Sequence, residues 1–404
     1  MIRQDLDHQT PLLECPHTTY IDLAFYITPV TIALIVGLLC GLSAGYDILI
    51  YHDLGTKSHL LQLYPIVEKL LDSGHQVTGI YFSSAEISHE NYTEILIDNP
   101  YDKNMEGIRK LLMEKGGSSM FNWKLWKASW DAWTDIIEDV ALLPWRHPEI
   151  SQLINSGRKF DAVMVRAVGW EFAEIFNCSL ITWSPAGPVP MFMWGTGNVI
   201  NLSVQPSLMN QDIEPMTFLQ RATNHLLTIV DRLWVRVFWY KANLIRTGEL
   251  GYELRSEAEV MEERFSVFIS NHHPVTHGSW PYLPNVVEVG GLGVKEARPL
   301  TGDLRTFLDS ASAGAVYVSF GSAIPPSQMP AEKLELLLGV FRSLPQYSFV
   351  WKWDGEIENL PDNVRTKTWI PQQDLLGHHN LRVFVTHGGM GGVSEAIYHK
   401  TVST

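Results

Sequence analysis

The sequence predicts an α/β protein of two doubly wound parallel-sheet domains, on three observations. A β-loop-α-β pattern begins just after residue 45, the same alternation starts afresh at AVYVSFGS (residues 315–322), and a stretch rich in Pro and Gly separates the two. A chain of 404 residues, 46% of them apolar, is long enough to give each half its own core.

The elements follow in order. YDILIYH (46–52) has the β-branched and aromatic content of a strand and is closed by the turn-like DLGTKS. From His59 onward, Leu60, Leu63, Val67, Leu70 and Leu71 recur at helical spacing, and Gly74 stops that helix before the next strand, QVTGIYF. Such a unit implies parallel pairing, which sets the loop holding Lys57, Ser58 and His59 at the carboxyl edge of the first strand, where open α/β sheets bind ligands. Trp123, Trp126, Trp130 and Trp133, spaced three, four and three apart, line one helix face, either as core or as an aromatic wall for an apolar ligand. KFDAVMV and SLITW read as strands flanking a short helix with Glu171 and Glu174. Residues 184–218 lose periodicity as a long loop, 217–264 form a long amphipathic region, and FSVFISN is a further strand. HHPVTHGSWPYLPNVVEVGG then reads as an extended connector, with the domain boundary near 272–290. The second half continues with a helix over 328–342, the strands YSFVWKW, TKTWIPQ and RVFVTHGG, and a last helix starting near Gly392. The expected organisation is an N-terminal extension (1–45), a first domain (46–280) and a second (281–404).

Composition removes several function classes. The 44 acidic residues exceed the 30 basic ones, for a net charge of −14, and no Lys/Arg block could follow a phosphate backbone, so nucleic acid is not an expected partner. Cys15, Cys40 and Cys178 have no metal-ligand spacing, and no metal site is expected. Residues 23–45 carry no charge and end in small residues, as a secretory h-region with its cleavage site does; a signal anchor, attaching the chain to the membrane, and an ordinary buried helix are the alternatives. Three sequons, at Asn91, Asn177 and Asn201, are compatible with entry into the endoplasmic reticulum lumen.

The strand RVFVT runs into His387-Gly388-Gly389-Met390-Gly391-Gly392 and then into a helix. Glycines at such a turn let backbone approach a ligand, and the unpaired N–H groups of the helix start attract an anion, so the run reads as a diphosphate cradle or as a turn packed tightly for its own sake. Upstream, WIPQ places Trp369 just after a strand, where its indole can stack on a planar base, with the amide of Gln372 beside it.

Together these residues resemble the signature of the UDP-glycosyltransferases, the glucuronosyl- and glucosyltransferase family of animals and plants, in which W-x-P-Q precedes H-G-G…E. The resemblance extends to Phe320-Gly321-Ser322, to residues 285–291, to Met216, Phe218, Arg221 and Asn224, and to the GHQVT segment. It implies a GT-B fold, with an acceptor-binding domain, a UDP-sugar domain and a cleft between them. It also implies roles: Trp369 on uracil, Gln372 on the nucleoside, Glu395 on the ribose, and Ser322, His387 and the glycines Gly389, Gly391 and Gly392 at the diphosphate. His59 matches the family's general base. UDP-sugar is the co-substrate, a small lipophilic hydroxyl compound the acceptor, and no cofactor is implied.

Two departures stand out. The family places an Asp after the strand corresponding to FDAVMV to orient the base, and this chain has Arg166 there, with Glu171 the nearest substitute in sequence. A cation beside the imidazole lowers its proton affinity. Gly391 and Gly392 stand where many relatives have Asn-Ser, and the chain stops at Thr404 before the acidic-Gln pair that holds the sugar, as in a C-terminally truncated member. The expected function is hexosyl transfer from UDP-sugar. The second reading is a non-catalytic or fragmentary relative that binds apolar ligands or pairs with a complete glycosyltransferase.

Overall fold

The computed structural model describes residues 45–403 apart from 54–56, 100–142, 167, 186, 188–192, 194, 208–215, 252, 275–277, 279 and 322–324. The apolar run of residues 23–44, the four-tryptophan stripe and Ser322 lie outside the described residues. Gly45–Thr404 forms one compact unit.

Within it, β1 (Asp47–Tyr51), β2 (Gln76–Tyr81), β3 (Tyr92–Leu96), β4 (Ala162–Val165), β5 (Ser179–Ser184), β6 (Phe265–Ser270) and β7 (Val286–Glu288) build a sheet of order β3-β2-β1-β4-β5-β6-β7. A second sheet holds β8 (Ala315–Ser319), β9 (Ser348–Lys352), β10 (Val364–Lys367), β11 (Leu381–Thr386) and β12 (Val402–Ser403), in the order β10-β9-β8-β11-β12. Every neighbouring pair is parallel. In both sheets the chain starts at a central strand, runs outward on one side, then returns to the centre and runs outward on the other. Each sheet therefore has a switch point, between β1 and β4 in the first and between β8 and β11 in the second, where the loops part and leave a crevice.

Central strands are apolar throughout because both faces are covered. Leu49 and Tyr51 of β1 enter one core with Val163, Val165 and Phe172, while Ile48 and Ile50 enter the other. There they meet Leu60, Leu63, Val67 and Leu71 of α1 (Lys57–Asp72). In the second sheet Tyr317 packs with Phe384 on one side, and Val318 and Trp351 pack with Leu338 and Phe341 of α7 (Ala331–Ser343) on the other.

The remaining described helices are α2 (Pro148–Asn155), α3 (Glu171–Ile175), α4 (Phe218–Leu250), α5 (Glu257–Arg264), α6 (Gly302–Asp309), α8 (Gln372–Leu376) and α9 (Met390–Tyr398). The long amphipathic region is thus two helices. α4 opens with a capping box between Thr217 and Gln220 and stops at Gly251, whose φ of 73° is left-handed; α5 restarts on a second box, Ser256 with Glu259. β7 lies beyond the expected boundary at 280/281 yet completes the first sheet by pairing with β6, so the chain changes sheet between Glu288 and Gly302.

Candidate active site at the two switch points

At the β8/β11 switch point the chain assembles a polar cradle. His387 follows β11 directly, and Gly321 and Gly389 lie against its ring. A Cβ would come within 2.8 Å of that ring at Gly321, where φ is +87°, and within 2.6 Å at Gly389. Glycine at both positions leaves the imidazole room where it stands. Gly389 is the N-cap of α9, whose first intrahelical bond runs from Val393 N–H to Gly389 C=O at 3.0 Å. The N–H groups of Gly391 and Gly392 precede that bond and have no acceptor among the described residues, so the first turn of α9 presents donors and a positive dipole end.

Beside the cradle runs a hydrogen-bonded chain. Tyr317 Oη donates to Gln372 Oε1 at 3.0 Å, and Gln372 Nε2 donates to Glu395 Oε2 at 2.5 Å. Burial raises the Glu395 carboxyl, and hydrogen bonds from Gln372 and Gln373 oppose the rise. Gly392 borders this chain: a Cβ there would stand 3.3 Å from Phe384, a tight approach, and 3.6 Å from Gln372 Nε2, an ordinary one. Trp369 is 62% exposed, and Lys352 Nζ lies over its ring, 5.4 Å from the centroid. Gly321, Lys352, Thr368 and Trp369 line a cleft of about 220 Å³. Burial, and after it the Lys352 charge, lowers the His387 pKa, so that imidazole is neutral at pH 7.

The β1/β4 switch point holds the second group. His52 and Asp53 follow β1, His59 lies in the first turn of α1, and Arg166 follows β4. Asp53 Oδ1 and Arg166 Nε are 3.8 Å apart, with both side chains largely buried. Burial raises the Asp53 carboxyl and the Arg166 charge opposes that rise. His59 is lowered to about 4, first by burial and then by Arg166, and His52 is pushed well below its usual value by burial, Arg166 and His59. His59 Nδ1 is buried with no hydrogen-bond partner among the described residues.

The expected residues Trp369, Gln372, His387, Gly389, Gly391, Gly392 and Glu395 therefore share one sheet edge, and His59 stands at the edge of the other. Glu171 must be corrected. Its carboxylate is fully buried and ion-paired with Arg246 of α4, so it is not the group that answers Arg166. Asp53 is, and sequence reasoning missed it along with His52 and Lys352. The signal was present in the position of Asp53 at the end of the first strand, the same sheet edge as His59. Among the described residues no group of three or more His, Cys, Asp or Glu is arranged to hold a metal ion.

Comparison with known proteins bears on the family and the fold. The chain is 28% identical over 365 residues to UDP-glycosyltransferase UGT4 of Dactylopius coccus, an alignment covering 88% of this chain and 70% of that one. It is 29% identical to human UDP-glucuronosyltransferase 2B10, over 84% of this chain and 66% of the relative. Among solved structures, the glycotransferase of kitacinnamycin superposes with a TM-score of 0.54 at 14% identity, covering 89% of this chain and 79% of that one. A UDP-glucosyltransferase from Polygonum tinctorium gives 0.53 at 15% identity, with the same coverage of each chain. At these identities the structures bear on the fold alone, which is that of the two-domain GT-B glycosyltransferases. The family model described as UDP-glucoronosyl and UDP-glucosyl transferase matches residues 53–401, and the chain belongs to that family, whose general reaction moves a sugar from a UDP-sugar to an acceptor.

Proposed function

We propose that this chain transfers a hexosyl group, glucose or glucuronate, from UDP to a hydroxyl of a small lipophilic acceptor, with inversion at the anomeric carbon and His59 as general base. The observation that carries this reading is the pairing of an exposed Trp369 with the Gln372–Glu395 bond and the open first turn of α9 at one switch point, with a neutral imidazole on α1, its Nδ1 lacking a partner among the described residues, at the other. Uracil stacks on Trp369, Gln372 and Glu395 take the nucleoside, and the diphosphate rests on the N–H groups of Gly391 and Gly392, near Lys352 and neutral His387. His59 accepts the proton of the acceptor hydroxyl as its oxygen bonds to the anomeric carbon, and the bond from that carbon to the diphosphate oxygen breaks. UDP leaves carrying the electron pair, and the donors already in place stabilise its charge. No metal or cofactor has a step in this scheme.

The setting is proposed to be the lumen of the secretory pathway, with residues 23–45 as signal or anchor. Exposed Asn177 and Asn201 and half-exposed Asn91 support it, since all three sequons can be reached from solvent. Among the described residues no helix is long and apolar enough to cross a membrane. A second reading, in which the chain binds both ligands without turnover, is favoured by Arg166, which makes His59 a weak base.

Calorimetric titration with UDP tests the donor site. Binding is expected, and Trp369→Ala is expected to weaken it by about 10-fold, the lower end of what a base-stacking indole contributes. Absence of heat at millimolar UDP would overturn the donor-site assignment.

A further inference from the structure

Gln62 belongs to α1, one turn beyond His59 and on the same face of the helix. It is only 7% exposed. Its Oε1 accepts from Asn271 Nδ2 at 2.6 Å, and Asn271 Oδ1 in turn accepts the N–H groups of Gly291 and Leu292 in the segment joining the two sheets. The Gln62 carbonyl is therefore fixed, and with it the direction of the amide nitrogen. Nε2 carries two hydrogens. One is directed to Ser58 C=O at 3.3 Å, and the second has no acceptor among the described residues.

That nitrogen points at the donor cradle. A side chain at Gly391, in the first turn of α9, would begin 3.4 Å from Gln62 Nε2. The amide of Gln62, entering from the other sheet's helix, thus borders the space that a residue at 391 would otherwise fill, beside backbone N–H groups that themselves lack an acceptor. A buried amide with an unused N–H, held in place through its own carbonyl and set against an anion-binding helix start, is a ligand group in waiting.

Resting on the UDP-site reading above, we propose that Gln62 donates its second amide N–H to the diphosphate of the bound nucleotide, completing the cradle from the acceptor side. The helix that carries the base would then also touch the leaving group, so nucleotide binding fixes α1 against α9.

The test uses the full chain and calorimetric titration with UDP and with uridine, which lacks the diphosphate. Gln62→Glu keeps an oxygen for Asn271 but replaces the donor with an anion. It is expected to weaken UDP by about 10-fold or more, the scale of a charge-assisted hydrogen bond, while uridine stays within about two-fold of the unaltered chain. The double variant Gln62→Ala/Gly391→Asn returns an amide to the same space from the other side and is expected to recover most of the UDP affinity lost in Gln62→Ala. Undiminished UDP binding by Gln62→Glu overturns the role of Gln62 and leaves the donor-site reading standing. Equal losses for UDP and uridine, with no recovery in the double variant, overturn it too, because they mark a packing role. An unaltered chain that binds no UDP overturns both.

Discussion

Exchanging the charges at the β1/β4 switch point, as Asp53→Asn/Arg166→Asp, is expected to raise transfer at pH 7 by about 10- to 100-fold, within the range general-base effects span. The cause lies in the base itself. His59 is held at about 4, first by burial and then by Arg166, so the imidazole is neutral at pH 7 but takes a proton reluctantly. Replacing the cation by a carboxylate, while removing Asp53 so that two acids do not crowd one site, reverses the second of those causes and stabilises the imidazolium as it forms. The pH dependence gives the sign. A base must be unprotonated to act, so the unaltered chain should hold its rate down to about pH 5 and lose it only as pH falls through 4. The exchanged variant should lose rate earlier, with its acid limb moved up by about 2 to 3 units. His59→Ala in either background is expected to lose about 10²- to 10⁴-fold. Release of UDP from UDP-glucose or UDP-glucuronate in the presence of a phenol acceptor measures all three. Full transfer by His59→Ala would remove His59 from the mechanism.

Arg246→Ala is expected to destabilise the fold by about 3–5 kcal/mol, because it leaves the Glu171 carboxylate buried without its cation. Arg246 is 1% exposed and Glu171 fully enclosed, and the guanidinium lies 5.9 Å from the ring centroids of both Trp170 and Trp239. Burial brings its pKa down to about 10 against the opposing effects of Tyr51 and Glu257, still charged at neutral pH. The pair ties α4 to α3. Replacing both partners by apolar residues of similar size, Glu171→Leu/Arg246→Met, should cost less than the single change, since the Glu171 carboxylate is no longer left alone; Glu257, which the Arg246 charge also holds down, takes up a proton instead. Urea midpoints followed by tryptophan fluorescence compare the two. Equal losses would mean that packing over the indoles, not charge, holds the helix.

Much of this fold is visible in periodicity. β1, β2, β4, β5, β8, β9 and β11 are short apolar runs because a strand covered on both faces has no polar side to show. β3 and β7 escape for the opposite reason. YTEIL sits at the sheet edge with Leu96 exposed, and VVE is three residues of half-covered strand after a run of prolines. The donor residues are legible because Trp369, Gln372, His387, the glycines and Glu395 lie within a few turns of one another in the chain. The acceptor side is harder. Asp53 and Arg166 meet only because β4 pairs with β1, and no local pattern encodes that adjacency. Glu171 looked suitable because it follows Arg166 closely, but the start of α3 turns it toward Arg246 instead. Gln62 is hidden in the same way: as one polar position in an amphipathic helix it has no signature until α9 is set against it.

The glycines around His387 also constrain the gene. Any missense change in the codon of Gly321 or Gly389 adds at least a Cβ, and that one carbon would fall within 3 Å of the imidazole, so the His387 ring must shift before either position can drift. At Gly391 the nearest neighbour is the tip of a glutamine on another helix, at 3.4 Å, an ordinary contact distance. Two glycines are thus tied to the placement of one ring, and the third borders residue 62. Around one sheet edge, selection meets both a tight neighbour and a looser one.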